Sequence, residues 1–102
     1  MYFYLLSGPT RVGFGVTSNV ERRQKDYTGA WGYPAEFGAV WTGTEAHVKH
    51  FEYIIKVQHR DLLWQQGRWT TEWFDNGWTL QEAAEWVEQQ LAYTHVPLER
   101  VT

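Results

Sequence analysis

The chain contains no cysteine in its 102 residues, which excludes disulfides and thiolate metal sites and suits a reducing compartment. It has no apolar run long enough to cross a bilayer, and its opening residues, Met1-Tyr2-Phe3-Tyr4-Leu5-Leu6, lack the basic leader and cleavage pattern of a signal peptide. The expectation is a soluble, cytoplasmic protein with no membrane partner. No internal repeat, low-complexity tract or linker divides the sequence, so a single domain over 1–102 is expected. Strong charge of either sign is also absent. A net charge of −3 weighs against a protein that coats DNA, because lysine and arginine supply most non-specific affinity for phosphate.

What is present is aromatic: 7 Trp, 6 Tyr and 5 Phe within a 43% hydrophobic composition, enough to build a buried core. The charges are unevenly spread. Residues 1–71 carry 8 of the 9 Lys and Arg against 6 acidic residues, whereas 72–102 carry Arg100 alone against 6 acidic residues. A nucleic-acid surface would therefore belong to the first two-thirds, and so small a basic excess implies transient, salt-sensitive binding.

Two strands joined by a tight turn are expected over Tyr2 to Ser7 and Arg11 to Val16, interrupted by Gly8-Pro9. On the second, Val12, Phe14 and Val16 share one face, while Arg11, Gly13 and Gly15 share the other, which is nearly bare backbone. Ser18-x-x-Glu21, or Asn19 as a neighbouring cap, opens a helix through Tyr27 that stops near Gly29 and places Arg23 and Tyr27 one turn apart. A third strand is expected over Glu36 to Trp41. Thr44 caps a helix from Glu45 to about Leu63 with Val48, Phe51, Ile55 and Leu62 as its apolar stripe. The Trp-rich stretch from Gly67 to Gly77 reads as loop or short extended structure. Thr79-x-x-Glu82 opens a last helix with Leu80, Ala84, Val87 and Leu91 inward and Glu82, Glu85 and Glu88 outward, and a frayed tail follows Pro97. The class is α+β: a small three-stranded antiparallel sheet flanked by about three helices.

Four segments in order carry a resemblance. They are the aromatic first strand with Tyr4; the segment Val12-Gly13-Phe14-Gly15-Val16-Thr17 with Arg23 eight residues beyond Gly15; Thr44-Glu45 with Glu52 and Ile54-Ile55-Lys56 on one helix; and Gly67-Arg68-Trp69-Thr70-Thr71-Glu72-Trp73-Phe74. Together they resemble the GIY-YIG nucleases, including a small phage and bacterial subfamily with a Glu-Trp-Phe signature. The resemblance implies a metal-dependent endonuclease acting on DNA. It assigns Tyr4 to positioning or activating the water, Arg23 to the scissile phosphate, Glu52 to one Mg²⁺ or Mn²⁺, and Tyr27 to a second phosphate or water contact. Where relatives carry tyrosine or lysine in the second motif, this chain has Gly13. Arg11, expected on the same strand face, would lower the pKa of the Tyr4 phenol in its place. Lys49, Lys56, Arg22 and Lys25 are the candidate DNA contacts. No separate recognition domain is visible, which implies either loose sequence preference or a partner that supplies the target, a second copy of the chain or a separate DNA-targeting protein.

Each of these residues also has a plain structural reading. Tyr4 could pack in the core, and Arg23 and Glu52 could be solvated helix charges, with Glu52 between Lys49 and Lys56. His47 and His50 stand at i, i+3 but lack a third ligand. Trp64, Trp69, Trp73 and Trp78 could stack on bases, but are expected rather to bury the junction of the last two helices. Glu72-Trp73-Phe74 is expected to be structural. The alternatives to an enzyme are a catalytically degenerate module binding nucleic acid or protein through the same surface, and a protein-interaction module using exposed Trp.

Overall fold

Alternating large side chains build two strands, β1 (Tyr2–Ser7) and β2 (Val12–Thr17), paired antiparallel from Tyr2↔Thr17 to Ser7↔Val12. The computed structural model describes residues 1–8, 10–32, 36–64 and 72–102, with the backbone but not the side chain of Trp31. A third strand, β3 (Glu36–Thr42), pairs antiparallel on the other side of β1. The expected α+β class is present, but among the described residues the sheet has five strands rather than three. β4 (Glu72–Trp73) lies outside β2 and β5 (Glu99–Arg100) outside β3, in the order β4-β2-β1-β3-β5. Two-residue strands leave no alternation in a sequence, which is why periodicity misses them. The tail does not fray: the Val101 amide donates to the Val40 carbonyl at 2.8 Å and the Val40 amide to the Thr102 carbonyl at 3.1 Å.

Three α-helices accompany the sheet among the described residues. In α1 (Val20–Trp31) the cap is Asn19, whose side chain accepts from the Arg22 amide at 3.0 Å. The helix passes through Gly29, where it was expected to stop, and ends at Gly32, whose φ of 75° closes a left-handed C-cap onto the Thr28 carbonyl. In α2 (Glu45–Gln58) Thr44 caps as expected, accepting from the His47 amide at 3.2 Å. That helix is shorter than expected; a 3₁₀ turn at Arg60–Leu62 follows, because Leu63 must become extended to bridge Phe74. In α3 (Leu80–Thr94) the Thr79 and Glu82 capping box forms in both directions. Among the described residues, no helix is long and apolar enough to cross a membrane.

The period of two sorts side chains onto two faces of the sheet. Phe3, Leu5, Val12, Phe14, Ala39 and Trp41 meet α2 and α3 in the main core, with Phe51, Ile55, Val87 and Leu91. Tyr4, Leu6 and Val40 face the other way, toward Val20 and Tyr27 of α1. Phe37 joins this second face because the β1–β3 register shifts between Leu5 and Leu6, skipping Gly38. Without that bulge Phe37 would share the face of Ala39 and Trp41. The bulged residue is glycine because the Leu80 side chain of α3 occupies the place of its Cβ.

Candidate functional site

Tyr4 lies at the centre of the α1 face. Its ring stacks on Phe37, with centroids 4.5 Å apart and planes within 8°, and meets Tyr27 edge-on at 6.4 Å. The phenol oxygen ends over Gly15, its direct partner on β2; a Cβ there would fall 2.4 Å from Oη, so only glycine leaves room for the hydroxyl. The Arg23 Nη1 donates to Tyr4 Oη at 3.2 Å, and the Tyr4 and Tyr27 hydroxyls are 3.2 Å apart. The helical spacing of Arg23 and Tyr27 thus delivers both side chains to one phenol. Tyr4 is fully buried, while Arg23 and Tyr27 are half-buried above it.

Electrostatics fix the protonation of two of these groups. Burial works against the Arg23 cation, but the two phenols more than offset it, so its pKa is raised and it remains a permanent positive charge. Burial is also the leading cause at Tyr27, reinforced by the Tyr4 hydroxyl, and it drives the phenol's pKa well above the ordinary value against the opposing pull of Arg23. Tyr27 is therefore a neutral hydroxyl at physiological pH, suited to donating rather than abstracting a proton.

The glycine face of β2 is not bare, as its sequence suggests. Tyr4 crosses from β1 to cover Gly15, and the indole of Trp73 crosses from β4 to cover Gly13 and Gly8. Cross-strand aromatics over glycines compensate for the side chains those positions lack. Arg11 lies one residue before β2 begins, and four residues from Gly15 along an extended strand is about 13 Å. Its guanidinium pairs with Asp75 at 3.3 Å and lies 4.4 Å from the centre of the Trp64 ring. The structure therefore does not bring Arg11 to Tyr4: strand alternation puts it on the expected face, but the turn carries it to Asp75.

Glu52 belongs to a different group. It projects from α2, which covers the opposite face of the sheet, with its side chain 18% exposed and 3.6 Å from Lys56 Nζ. Lys56 also reaches Glu72 at 3.9 Å, so one ammonium lies between two carboxylates. Glu72 pairs with Phe14 on β2, next to the Gly15 that underlies Tyr4. The two groups thus lie on opposite faces of adjoining residues of one strand. Among the described residues, no three His, Cys, Asp or Glu side chains gather as a metal cluster. Of the other candidate contacts, Arg22 and Lys25 are exposed on α1, and Lys49 on α2 is held by Glu45 at 2.6 Å.

Sequence reasoning did not find the parts played by Phe37, Trp73 and Glu72 around these groups. Phe37 depends on a bulge and the other two on a two-residue strand, and neither feature has a local signal. Of the Trp-rich segment, Trp78 packs with Phe74 and Trp86 at the junction of the last helices, as expected. Phe74 is fully buried, and Trp69 lies outside the described residues. No protein-family model, curated protein or solved structure matches the chain.

Proposed function

We propose that the protein is a metal-dependent endonuclease hydrolysing DNA phosphodiester bonds, with Arg23 contacting the scissile phosphate from one face of the sheet and Glu52 holding the metal from the other, the substrate meeting both at the edge of β2 where Phe14 and Gly15 adjoin. The observation that carries this reading is the cluster of Tyr4, Arg23 and Tyr27: a permanently charged guanidinium oriented by phenols at the surface of one sheet face. A fixed cation of this kind stabilises charge developing on non-bridging phosphate oxygens, and its cost of orientation is already met by folding. The remaining guanidinium N–H groups suit a phosphate's paired oxygens. Tyr27, kept neutral, donates to the phosphate or to the attacking water. Tyr4, enclosed beneath both, orients them, and the water attacks beside this phenol pair.

The donor chemistry suits a hard cation, which would take the place of the Lys56 ammonium now lying between the Glu52 and Glu72 carboxylates. Glu52 offers carboxylate oxygens, with those of Glu72 across Lys56, and Mg²⁺ or Mn²⁺ commonly binds one or two carboxylates plus water and phosphate. When bound, such an ion neutralises charge on the leaving oxygen. Arg22, Lys25 and Lys49 supply DNA contacts outside the reacting centre, and Lys56 supplies one beside Glu52. One such site nicks one strand, so a double-strand cut takes a second copy of the chain or two encounters.

A second reading is a catalytically degenerate module binding nucleic acid or protein through this surface. It is favoured by the full burial of Tyr4, whose hydroxyl is satisfied within the chain, and by the turning of Arg11 toward Asp75. Supercoiled plasmid incubated with the protein in Mg²⁺, Mn²⁺ or EDTA separates the two. Metal-dependent conversion to open-circular or linear DNA is the expected result, and binding without conversion supports the second reading. Glu52→Gln should abolish conversion at an unchanged melting temperature, while Glu72→Gln keeps most of it. The reverse pattern would move the metal to Glu72.

A further inference from the structure

The Trp73 ring lies across two glycines of the first hairpin. A Cβ at Gly13 would come within 2.8 Å of the indole, and one at Gly8 within 2.5 Å. Gly13 is also the direct partner of Trp73 across the β2–β4 pair. The ring packs on the cluster that holds Tyr4 and Leu6. The neighbouring Glu72 points to the opposite face and meets Lys56 at 3.9 Å. A strand of two residues has too few ladder bonds to fix its own register. The fit of the indole over the two glycines seats it on the α1 face, while the buried Phe74 and its amide bond to the Val12 carbonyl hold the following residue.

We infer that Trp73 is a positioning residue of the proposed nuclease site. Keyed onto Gly8 and Gly13, its indole fixes the flank of the Tyr4 pocket on one face of the sheet and the line of Glu72, Lys56 and Glu52 on the other. The inference rests on reading Tyr4, Arg23 and Glu52 as that site. Trp73 acts through Tyr4 and Glu72 and not on the reacting atoms. A side chain at position 13 and an indole at position 73 exclude one another, so the effects of changing them are coupled.

The test compares Trp73→Phe, Trp73→Leu, Gly13→Ala and the Gly13→Ala/Trp73→Leu double variant, at a temperature where melting curves show each to be folded. The readouts are the ¹³Cζ tyrosine NMR resonance of Tyr4, assigned with Tyr4→Phe, and kcat and KM for plasmid cleavage in Mg²⁺. Trp73→Leu is expected to shift the Tyr4 resonance and lower kcat by about ten- to a hundredfold with KM little changed, while Trp73→Phe keeps most of the rate. Gly13→Ala should be damaging alone yet cost less in Trp73→Leu, since the indole is then gone and only the Glu72 carbonyl, 3.1 Å away, still crowds the methyl group. If Trp73→Leu fails to fold, Trp73→Phe with and without Gly13→Ala gives the same comparison. An unchanged rate in folded Trp73→Leu, or an equal cost of Gly13→Ala in both backgrounds, overturns the inference. A shifted Tyr4 resonance in a protein that cleaves no DNA even as wild type upholds the seat of Trp73 and overturns the nuclease reading instead.

Discussion

The two faces of the sheet are built from different material. On the α2 and α3 side, Phe3 packs against Phe14, Trp41 and Phe51 at centroid distances of 5.7, 5.9 and 5.1 Å, within a broad aliphatic surround. On the α1 side, the buried hydrophobic cluster among the described residues is Tyr4, Leu6 and Val40, and the covering helix exposes Glu21, Arg22, Lys25 and Asp26. Apolar packing tolerates adjustment, whereas each buried hydroxyl or guanidinium requires a partner at a set distance. The first face supplies most of the stability; the second trades area for geometry.

The largest effect should come from emptying the stable face. Phe3→Ala removes the hub of the aromatic stack and is expected to cost about 3–5 kcal/mol in denaturant unfolding. A loss below 1 kcal/mol would mean that the faces do not differ as described. On the α1 face, Arg23→Ala should leave the fold in place but lower turnover by on the order of a hundredfold or more, with DNA affinity falling less. Lys49→Ala, by contrast, should weaken binding mainly, and more so at low salt. Equal losses of affinity and rate in Arg23→Ala would make it an ordinary phosphate contact.

Gly15→Ala sharpens the contrast, because a methyl group there collides with the Tyr4 hydroxyl and not with the core. It should cost about 1–3 kcal/mol, with the Arg23 contact disturbed first. Full activity and unchanged stability would show that the phenol has slack. The smallest effect is electrostatic. The Tyr27 pKa is raised in the folded protein, so the stability it contributes is whole below the unfolded phenol value of about 10 and is lost as pH rises beyond it. Denaturation at pH 8 and pH 11 should show a decline that is shallower in Tyr27→Phe; identical slopes would remove the shift.

Much of this was legible in the sequence, for local reasons. Alternation gave β1, β2 and the core part of β3; Thr44 and Thr79 marked two helix starts; and the i, i+4 spacing of Arg23 and Tyr27 set them on one face. Contacts between distant segments left no such trace. Gly13 looked bare because its cover, Trp73, is far along the chain, and Arg11 looked available because nothing local pointed to Asp75. Gly29 and Gly32 are equally good helix stops in the sequence, and only the backbone angle decides: Gly32 has the positive φ.

Both outer strands of the sheet are two residues long, and that brevity bears on self-association. A short rim offers an incoming chain little template for ladder bonds, which protects an aromatic-rich sheet from edge-to-edge aggregation. The protection is thin on the side of β5. Val101 and Thr102 occupy the amide and carbonyl of Val40, and Glu99 and Arg100 pair with Thr42 and Trp41. Removing Glu99 to Thr102 would uncover Val40 to Thr42 and open this side of β3 to sheet extension.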